Sequence, residues 1–282
     1  MIDLSNESVI HVKKDNVEYL QFRKLLEYSD TINHAYSLGI SRNFRTARAK
    51  DKKQLTGNEY EKAINDYKEL CEKMGGNYNN IVKPNQSHTR NVKIVNSKIN
   101  ISSPDINLEE YNSNDGLITN KKNIILATTN ADCILLLFFD PIKKVIANTH
   151  SGWKGTLQRI SVETVKKMQN EYECKPQDII CCICPSIRKC HFEVKSDVQE
   201  LFSNEFKDFD NIDEIITKEK GTDKWMIDTV KINQSILEDI GLKKENIIDS
   251  KICSVCHSDI IHSYRAEKEN YGLNTALIEI KE

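Results

Sequence analysis

The sequence predicts an α+β fold, with layered elements around a mixed sheet. Three observations predict it. Short apolar runs are joined by tight turns: Cys133–Phe139, the turn at Asp140-Pro141 and Lys144–Thr149 read as a hairpin of two buried strands. Segments of helical period lie between such runs, as at Asn58–Met74 and Thr156–Asn170. No Pro- or Gly-rich linker divides the chain, so its 282 residues, 1–282, are expected to form a single domain.

Taken in order, Asn6–Lys24 reads as an opening hairpin, with Val9, His11 and Val17 alternating. His34–Gly39 leads to a basic segment in which Arg42, Arg45 and Arg48 are spaced to grip a phosphate or carboxylate. A helix is expected over Asn58–Met74. Tyr60, Ala63, Ile64, Tyr67, Leu70 and Cys71 recur three and four apart, and Gly75-Gly76 marks the end. Ile81–Lys83 and Val92–Val95 are short strands flanking a turn that carries His88. Pro104–Gly116 is polar and irregular, a surface loop, and Ile124–Thr128 is a strand leading into the central hairpin.

After the hairpin, Thr156–Asn170 is an amphipathic helix with Leu157, Ile160, Val165 and Met168 on its apolar stripe. The glycine-flanked turn that opens it offers backbone N–H groups to an anion. Ile179–Ile183 is a buried strand, and Ser196–Phe202 begins a helix. Trp225–Asp228 is a short strand, Thr229–Ile240 a helix stopped by Gly241, and Thr275–Ile280 the closing strand.

A formal net charge of −2 gives no global pull toward nucleic acid or an anionic membrane. The N-terminus carries no apolar signal segment, and the longest apolar run, Cys133–Phe139, is far too short to span a bilayer. Nine cysteines, an odd number in a chain of this length, argue against a secreted disulfide scaffold. A reducing, cytoplasmic home with mostly free thiols is the expectation.

The chemistry centres on the hairpin. If Phe139 pairs with Lys144, Cys133 falls directly opposite His150, with Cβ atoms about 4.5–5.5 Å apart on one face. A thiolate and an imidazole so placed can share a metal ion or exchange a proton. Zinc takes Cys sulfur and His nitrogen, and a three-ligand site keeps a fourth position open for a water of lowered pKa. His88, His191, His257 and His262 are candidates for the third ligand. His88 is the first choice, because it sits at a strand end as the other two ligands do. Without metal, the same three residues would form a thiolate–imidazole nucleophile, and spacing does not separate the two readings. Asp132, if it lies in a turn, would orient a ligand or accept a proton. Cys253-Ser254-Val255-Cys256 is a lone CxxC with no clean second pair, so packing or an incidental disulfide is expected there.

Several stretches carry a resemblance. Asn130-Ala131-Asp132-Cys133 and His150-Ser151-Gly152-Trp153-Lys154-Gly155 resemble the ADC and HAGWRG motifs of the YfiH-type laccase-domain family. Gln86-Ser87-His88 is similar to its QVH motif, and Cys184 to Val194 to its GPAIGPCCYEV segment. Cys253-Ser254-Val255-Cys256 with Ser263-Tyr264-Arg265 resembles its CTxC…FFSYR ending. The resemblance implies a layered α/β sandwich with a largely antiparallel sheet, and zinc held by His88, Cys133 and His150. It implies purine nucleoside phosphorylase activity on adenosine, inosine and methylthioadenosine, with adenosine deaminase activity in the same pocket. The partners would then be a nucleoside and phosphate.

Within that resemblance, Arg45, Lys154 and Arg265 are the cationic candidates for substrate binding, and Asp132 and Glu193 the carboxylates for proton transfer. The family has also been described as copper-dependent polyphenol oxidases. A Cys/His/His site tolerates copper, but the chain lacks the His-rich pairs that would hold a copper cluster. A metal-free cysteine hydrolase acting on an amide such as a cell-wall precursor is an alternative of another class, and a binding protein without turnover is a third. Departures from the motifs are Ser87 and Thr89 around the first His, Cys184 and His191 in the fourth motif, and a weak match over Tyr36–Ser41.

Overall fold

Period-two alternation sends successive strand side chains to opposite faces, and that sorting builds the layers. A computed structural model describes residues 2–47, 55–96 and 111–282. One six-stranded sheet has the order Val9–Lys14, Val17–Phe22, Ile32–Leu38, Asn274–Ile280, Ile125–Asn130, Ile81–Val82. The other runs Ile247–Asp249, Ile180–Ile183, Ile134–Asp140, Val145–Ser151, Gly116–Thr119, Val92–Ile94. Neighbours pair antiparallel except at edges, where Ile81–Val82, Ile247–Asp249 and Val92–Ile94 each add a parallel strand. The sheets are therefore mixed and largely antiparallel.

Between the sheets, Leu20, Phe22, Leu126 and Ile278 of the first meet Leu135, Leu137, Phe139 and Ile146 of the second. The outer face of the first sheet packs Tyr19, Ala35, Ile125 and Leu277 under Tyr67, Leu70 and Cys71 of helix Asn58–Met74. The outer face of the second packs Ile134, Leu136, Phe138 and Ala147 under helices Ile160–Tyr172 and Thr229–Asp239. Four layers result, helix on sheet on sheet on helix. Each fully buried Leu, Ile or Phe contributes about 1.5–3 kcal/mol. One polar residue ties the sheets together. Asn148 Nδ2 donates to the carbonyls of Leu126 and Ala276 at 2.9 and 2.8 Å, and its Oδ1 accepts from the Thr128 hydroxyl.

Beside these layers, Glu193–Val194, Trp225–Ile227 and Ile216–Lys218 form a three-stranded sheet, which shares an apolar cluster with Phe202 and Phe206 around helix Ser196–Glu205. Among the described residues, no helix is long and apolar enough to cross a membrane.

The structure corrects three expectations. In the central hairpin Phe139 pairs with Ile146, not Lys144, and Asp140 with Val145. The cause is the turn. Asp140 Oδ1 accepts the N–H groups of Ile142 and Lys143 at 2.8 and 2.9 Å, and Lys144 adopts φ 52°. The slip of two residues puts Leu135 opposite His150 and leaves Cys133 just outside the strand. Because the slip is even, every side chain keeps its face. The helix expected over Thr156–Asn170 is two helices, Trp153–Leu157 and Ile160–Tyr172, broken where Arg159 takes φ 54°. Leu157 and Ile160 stay three apart across the break, so periodicity does not reveal it. The surface loop expected over Pro104–Gly116 gives way at its end to a strand, Gly116–Thr119, while residues 104–110, like Arg48, lie outside the described residues.

Candidate metal centre and its cavity

Three side chains, one from a strand and two from loops, meet at one end of the inter-sheet layer. His150 is the next-to-last residue of strand Val145–Ser151 and is 3 % exposed. Cys133 follows a bend after strand Ile125–Asn130, and His88 stands in the loop before Val92–Ile94 with φ 60°. Their ligating atoms all lie within 4.8 Å of one another. His88 Nε2 is 3.9 Å from Cys133 Sγ, and the two imidazoles meet edge to face at 4.9 Å between centroids. Gly152 borders this cluster. A Cβ there would stand 2.8 Å from His88 Cδ2 and 3.1 Å from Cys133 Sγ, so the position requires a missing side chain for space.

The residue that organises the centre is one the sequence did not single out. Asp115 is fully buried, and its Oδ1 accepts from His150 Nδ1 at 2.8 Å and from the His88 N–H at 3.0 Å. Its Oδ2 accepts from the N–H groups of Ser87 and Thr89 and from the Thr89 hydroxyl, at 3.2, 2.7 and 2.8 Å. One carboxylate therefore fixes the loop of one histidine and the ring of the other. With Nδ1 engaged by Asp115, Nε2 of His150 is the atom left for a ligand, the arrangement found where a carboxylate supports a metal-bound imidazole.

Electrostatics follow from the packing. Burial raises the Asp115 carboxyl, but the His150 imidazole and the Thr89 donors outweigh it and bring the pKa down to about 2. Burial likewise raises the Cys133 thiol, yet the paired His150 and His88 bring it down to about 6. Burial lowers His150, while Cys133 and Asp115 lift it to about 9. Each therefore favours the other's charged form, the thiolate of Cys133 and the protonated ring of His150, when no metal lies between them. The donor set of one thiolate and two imidazoles, with a carboxylate behind it, suits a borderline divalent ion such as zinc.

The neighbouring bend is held by two residues. Asn130 Nδ2 donates to the carbonyls of Cys133 and Pro185 at 2.5 and 3.1 Å. Asp132, at φ 84°, accepts from the hydroxyls of Ser254 and Ser263 at 2.6 and 2.7 Å and from the Arg265 N–H at 2.7 Å. These three bonds offset the left-handed backbone of a non-glycine residue. They occupy both oxygens of Asp132, which places it as an anchor between the Cys133 bend, the 253–256 turn and the 263–265 segment.

The centre opens into a cavity of about 700 Å³. Arg45 lines it, with its guanidinium 4.2 Å from the centre of the Tyr271 ring and Nη2 donating to the Tyr271 carbonyl at 2.9 Å. Tyr264 and Tyr271, also on the wall, stand edge to face at 5.0 Å. Arg265 lines the cavity, but its Nη1 and Nη2 donate to the carbonyls of His191 and Glu193 at 2.6 and 3.1 Å. Glu193 is on the wall too, with its carboxylate 3.1 Å from Lys224 Nζ. Lys154 is not brought there. It is exposed, with its ammonium 5.4 Å from the Trp153 ring, because it stands on the outer side of the short helix. Lys83 and Lys195 line the cavity and were not among the expected cations. Arg42 is buried in ion pairs with Asp66 and Glu69 at 3.1 and 2.7 Å.

The other candidate histidines go elsewhere. His262 Nε2 meets the Arg42 carbonyl at 2.6 Å and its Nδ1 meets Glu267. His191 lies with Cys190, Cys253 and Cys256 in a second group.

Comparison with known proteins bears on this site. Residues 47–281 match the family model described as multi-copper polyphenol oxidoreductase laccase. A human protein named purine nucleoside phosphorylase LACC1 is 33 % identical over 178 residues, which cover 62 % of this chain and 40 % of the human one. A protein named adenosine deaminase RL5, from an unknown prokaryotic organism, is 28 % identical over 203 residues, 72 % of this chain and 76 % of that protein. The crystal structure of Bacillus licheniformis hypothetical protein YfiH superposes with a TM-score of 0.81 at 20 % identity, covering 98 % of this chain and all of that one.

Proposed function

The chain belongs to this laccase-like family, and from that premise we propose that it is a zinc-dependent purine nucleoside phosphorylase with adenosine deaminase activity. In phosphorolysis it would convert adenosine, inosine or methylthioadenosine and phosphate into the base and a ribose 1-phosphate. The observation that carries the reading is the His88–Cys133–His150 cluster, braced by Asp115, at the base of a cavity of nucleoside size. The names of the human and prokaryotic relatives support both activities.

His88, Cys133 and His150 would hold the zinc ion, which supplies a Lewis-acid centre when bound. The chain's own residues do the remaining work. The Tyr264 and Tyr271 rings offer apolar faces for a purine. Arg45, with N–H groups beyond the one given to Tyr271, would draw phosphate toward the ribose, and Lys83 and Lys195 add positive charge to the same wall. Asp115 would keep His150 in a single tautomer, and Asp132 would hold the Cys133 bend in place. Glu193, at the wall, would take up or return the proton that either reaction moves.

A single domain over 1–282 and a cytoplasmic setting belong to the same reading. Copper in place of zinc would give the polyphenol oxidase that the family description names. The chain has seven histidines, however, and among the described residues His88 and His150 alone reach this centre, too few for a cluster of coppers. The closeness of Cys133 to His150, which lowers the thiol pKa, favours one other reading, a metal-free cysteine nucleophile acting on an amide.

Purified protein incubated with inosine and phosphate should release hypoxanthine, and with adenosine alone should release ammonia. Absence of both, from protein carrying stoichiometric zinc, would overturn the proposal. Turnover that persists after zinc is stripped would favour the thiol nucleophile.

A further inference from the structure

A second cluster of metal-binding side chains lies outside the cavity wall. Cys190 and His191 precede the short strand Glu193–Val194, and Cys253 and Cys256 flank the turn after Ile247–Asp249. The sequence offered the CxxC without a partner. The fold supplies that partner from 63 residues away.

The distances describe a tetrahedron. Cys190 Sγ is 3.7 Å from Cys253 Sγ and 3.9 Å from Cys256 Sγ. His191 Nδ1 is 3.2, 3.6 and 3.6 Å from the sulfurs of Cys190, Cys253 and Cys256. Zinc bonded to sulfur at about 2.3 Å and nitrogen at about 2.05 Å sets tetrahedral edges of about 3.8 Å for S···S and about 3.6 Å for S···N. Ordinary hydrogen bonding does not account for the arrangement. One imidazole N–H points at one sulfur, whereas this nitrogen faces three. All three cysteines are free thiols, so no disulfide explains their approach. Backbone N–H groups of Arg188, Val255 and Cys256 also point at the Cys253 sulfur, as donors do around a metal-bound thiolate.

We infer that Cys190, His191, Cys253 and Cys256 form a second zinc site, closed by four protein ligands and structural in role. A site with all four positions taken by protein holds chain segments together and leaves none for substrate. The segments joined here frame the cavity. Phe192 and Glu193, next to His191, line its wall, and the His191 carbonyl accepts from Arg265 Nη1. Ser254, between the two cysteines of the turn, donates to Asp132 beside Cys133. Metal at this second site would therefore fix the wall and the Asp132 anchor without touching substrate.

Zinc content of protein purified without chelator tests this, with non-reduced peptide mapping alongside. Two zinc ions per chain are expected in the parent, one in His191→Ala and in Cys256→Ser, and two again in His191→Cys, which restores a fourth ligand. In cobalt(II)-loaded protein the thiolate-to-metal absorbance should fall to about a quarter of the parent's once this site is lost, since Cys133 is then the one thiolate still bound. A His88→Ala variant keeps the second ion whatever becomes of the cavity centre, which separates failure of this inference from failure of the proposed activity. A zinc count unchanged by His191→Ala, whether the parent carries two ions or one, or a disulfide among the three cysteines would overturn it. Should Cys256→Ser not fold, the His191→Ala and His191→Cys pair decides alone.

Discussion

Replacing Asp115 by Asn tests whether one buried carboxylate sets up the metal centre. The side chain is nearly isosteric, so cavity formation is not at issue. Two donors converge on Oδ1, the His150 Nδ1–H and the His88 N–H, and three on Oδ2. An amide has one oxygen, and its NH2 must face one of these groups. Facing the Oδ1 side, it opposes two donors, and each buried donor left unsatisfied costs about 1–3 kcal/mol. Relaxation of the exposed His88 loop reduces this, so Asp115→Asn should lose roughly 2–4 kcal/mol of stability. His150 must also turn or change tautomer to accept from the amide, which removes Nε2 from its ligand position. Loss of such a supporting carboxylate lowers metal affinity by about 10–100-fold. Competition with a chromophoric chelator measures zinc affinity, and urea unfolding measures stability. A folded Asp115→Asn protein with zinc affinity within threefold of the parent would refute the reasoning.

Three further perturbations follow from the same geometry. Gly152→Ala places a methyl 2.8 Å from His88 Cδ2, and because His88 is exposed it can swing outward. The variant should fold normally yet bind zinc at least about tenfold more weakly, by analogy with loss of ligand support, and unaltered zinc content under chelator competition would count against the crowding argument. Arg45→Ala removes a charge-assisted donor worth about 1.5–3 kcal/mol, so KM for phosphate should rise about tenfold or more with zinc content unchanged. A KM for phosphate that does not move would remove Arg45 from the anion site. His34 is buried and accepts the Phe22 N–H at 2.7 Å, and burial pushes its pKa down to about 3. The unfolded chain protonates near 6.5 and the native state does not, so the stability from neutral His34 is complete above pH 6.5. It declines by about 1.4 kcal/mol per unit as pH falls toward 3. His34→Gln keeps an acceptor without a titrating group, so its acid-side slope in urea unfolding should be shallower by one proton; an identical slope would exclude this origin.

How far the sequence announces this fold depends on segment length. Helix Asn58–Met74 shows its apolar stripe over seventeen residues and ends where Gly75 takes φ 95°, so its bounds can be read directly. Strand Ile134–Asp140 is equally plain, being apolar on both faces, since each face meets its own packing layer. Ile216–Lys218 and Ile247–Asp249 are three residues each, too short to display a period of two, and their partners are settled by tertiary packing. The hairpin register fails for a different reason. It is fixed by Asp140 capping its own turn, and turn conformation is a local hydrogen-bonding outcome that the apolar run does not encode.

The candidate site divides along the same line. Cys133 and His150 can be read from sequence because a hairpin joins them, and an even register error leaves both on the same face. Asp115 could not be read that way. It sits in a polar stretch before a four-residue strand, 35 positions from His150 and 27 from His88. The antiparallel pairing of Gly116–Thr119 with Val145–Ser151 sets it beside His150, and the parallel pairing with Val92–Ile94 brings in the His88 loop. Gly116 carried the one available signal. A Cβ there would lie 3.0 Å from Thr149 Oγ1 and Val92 Cγ2, so the glycine beside Asp115 lets its strand fit between the hairpin on one side and the edge strand on the other. The carboxylate then arrives beneath His150 because its neighbour lacks a side chain. A substitution at Gly116 should accordingly disturb the metal centre through Asp115 without touching a ligand.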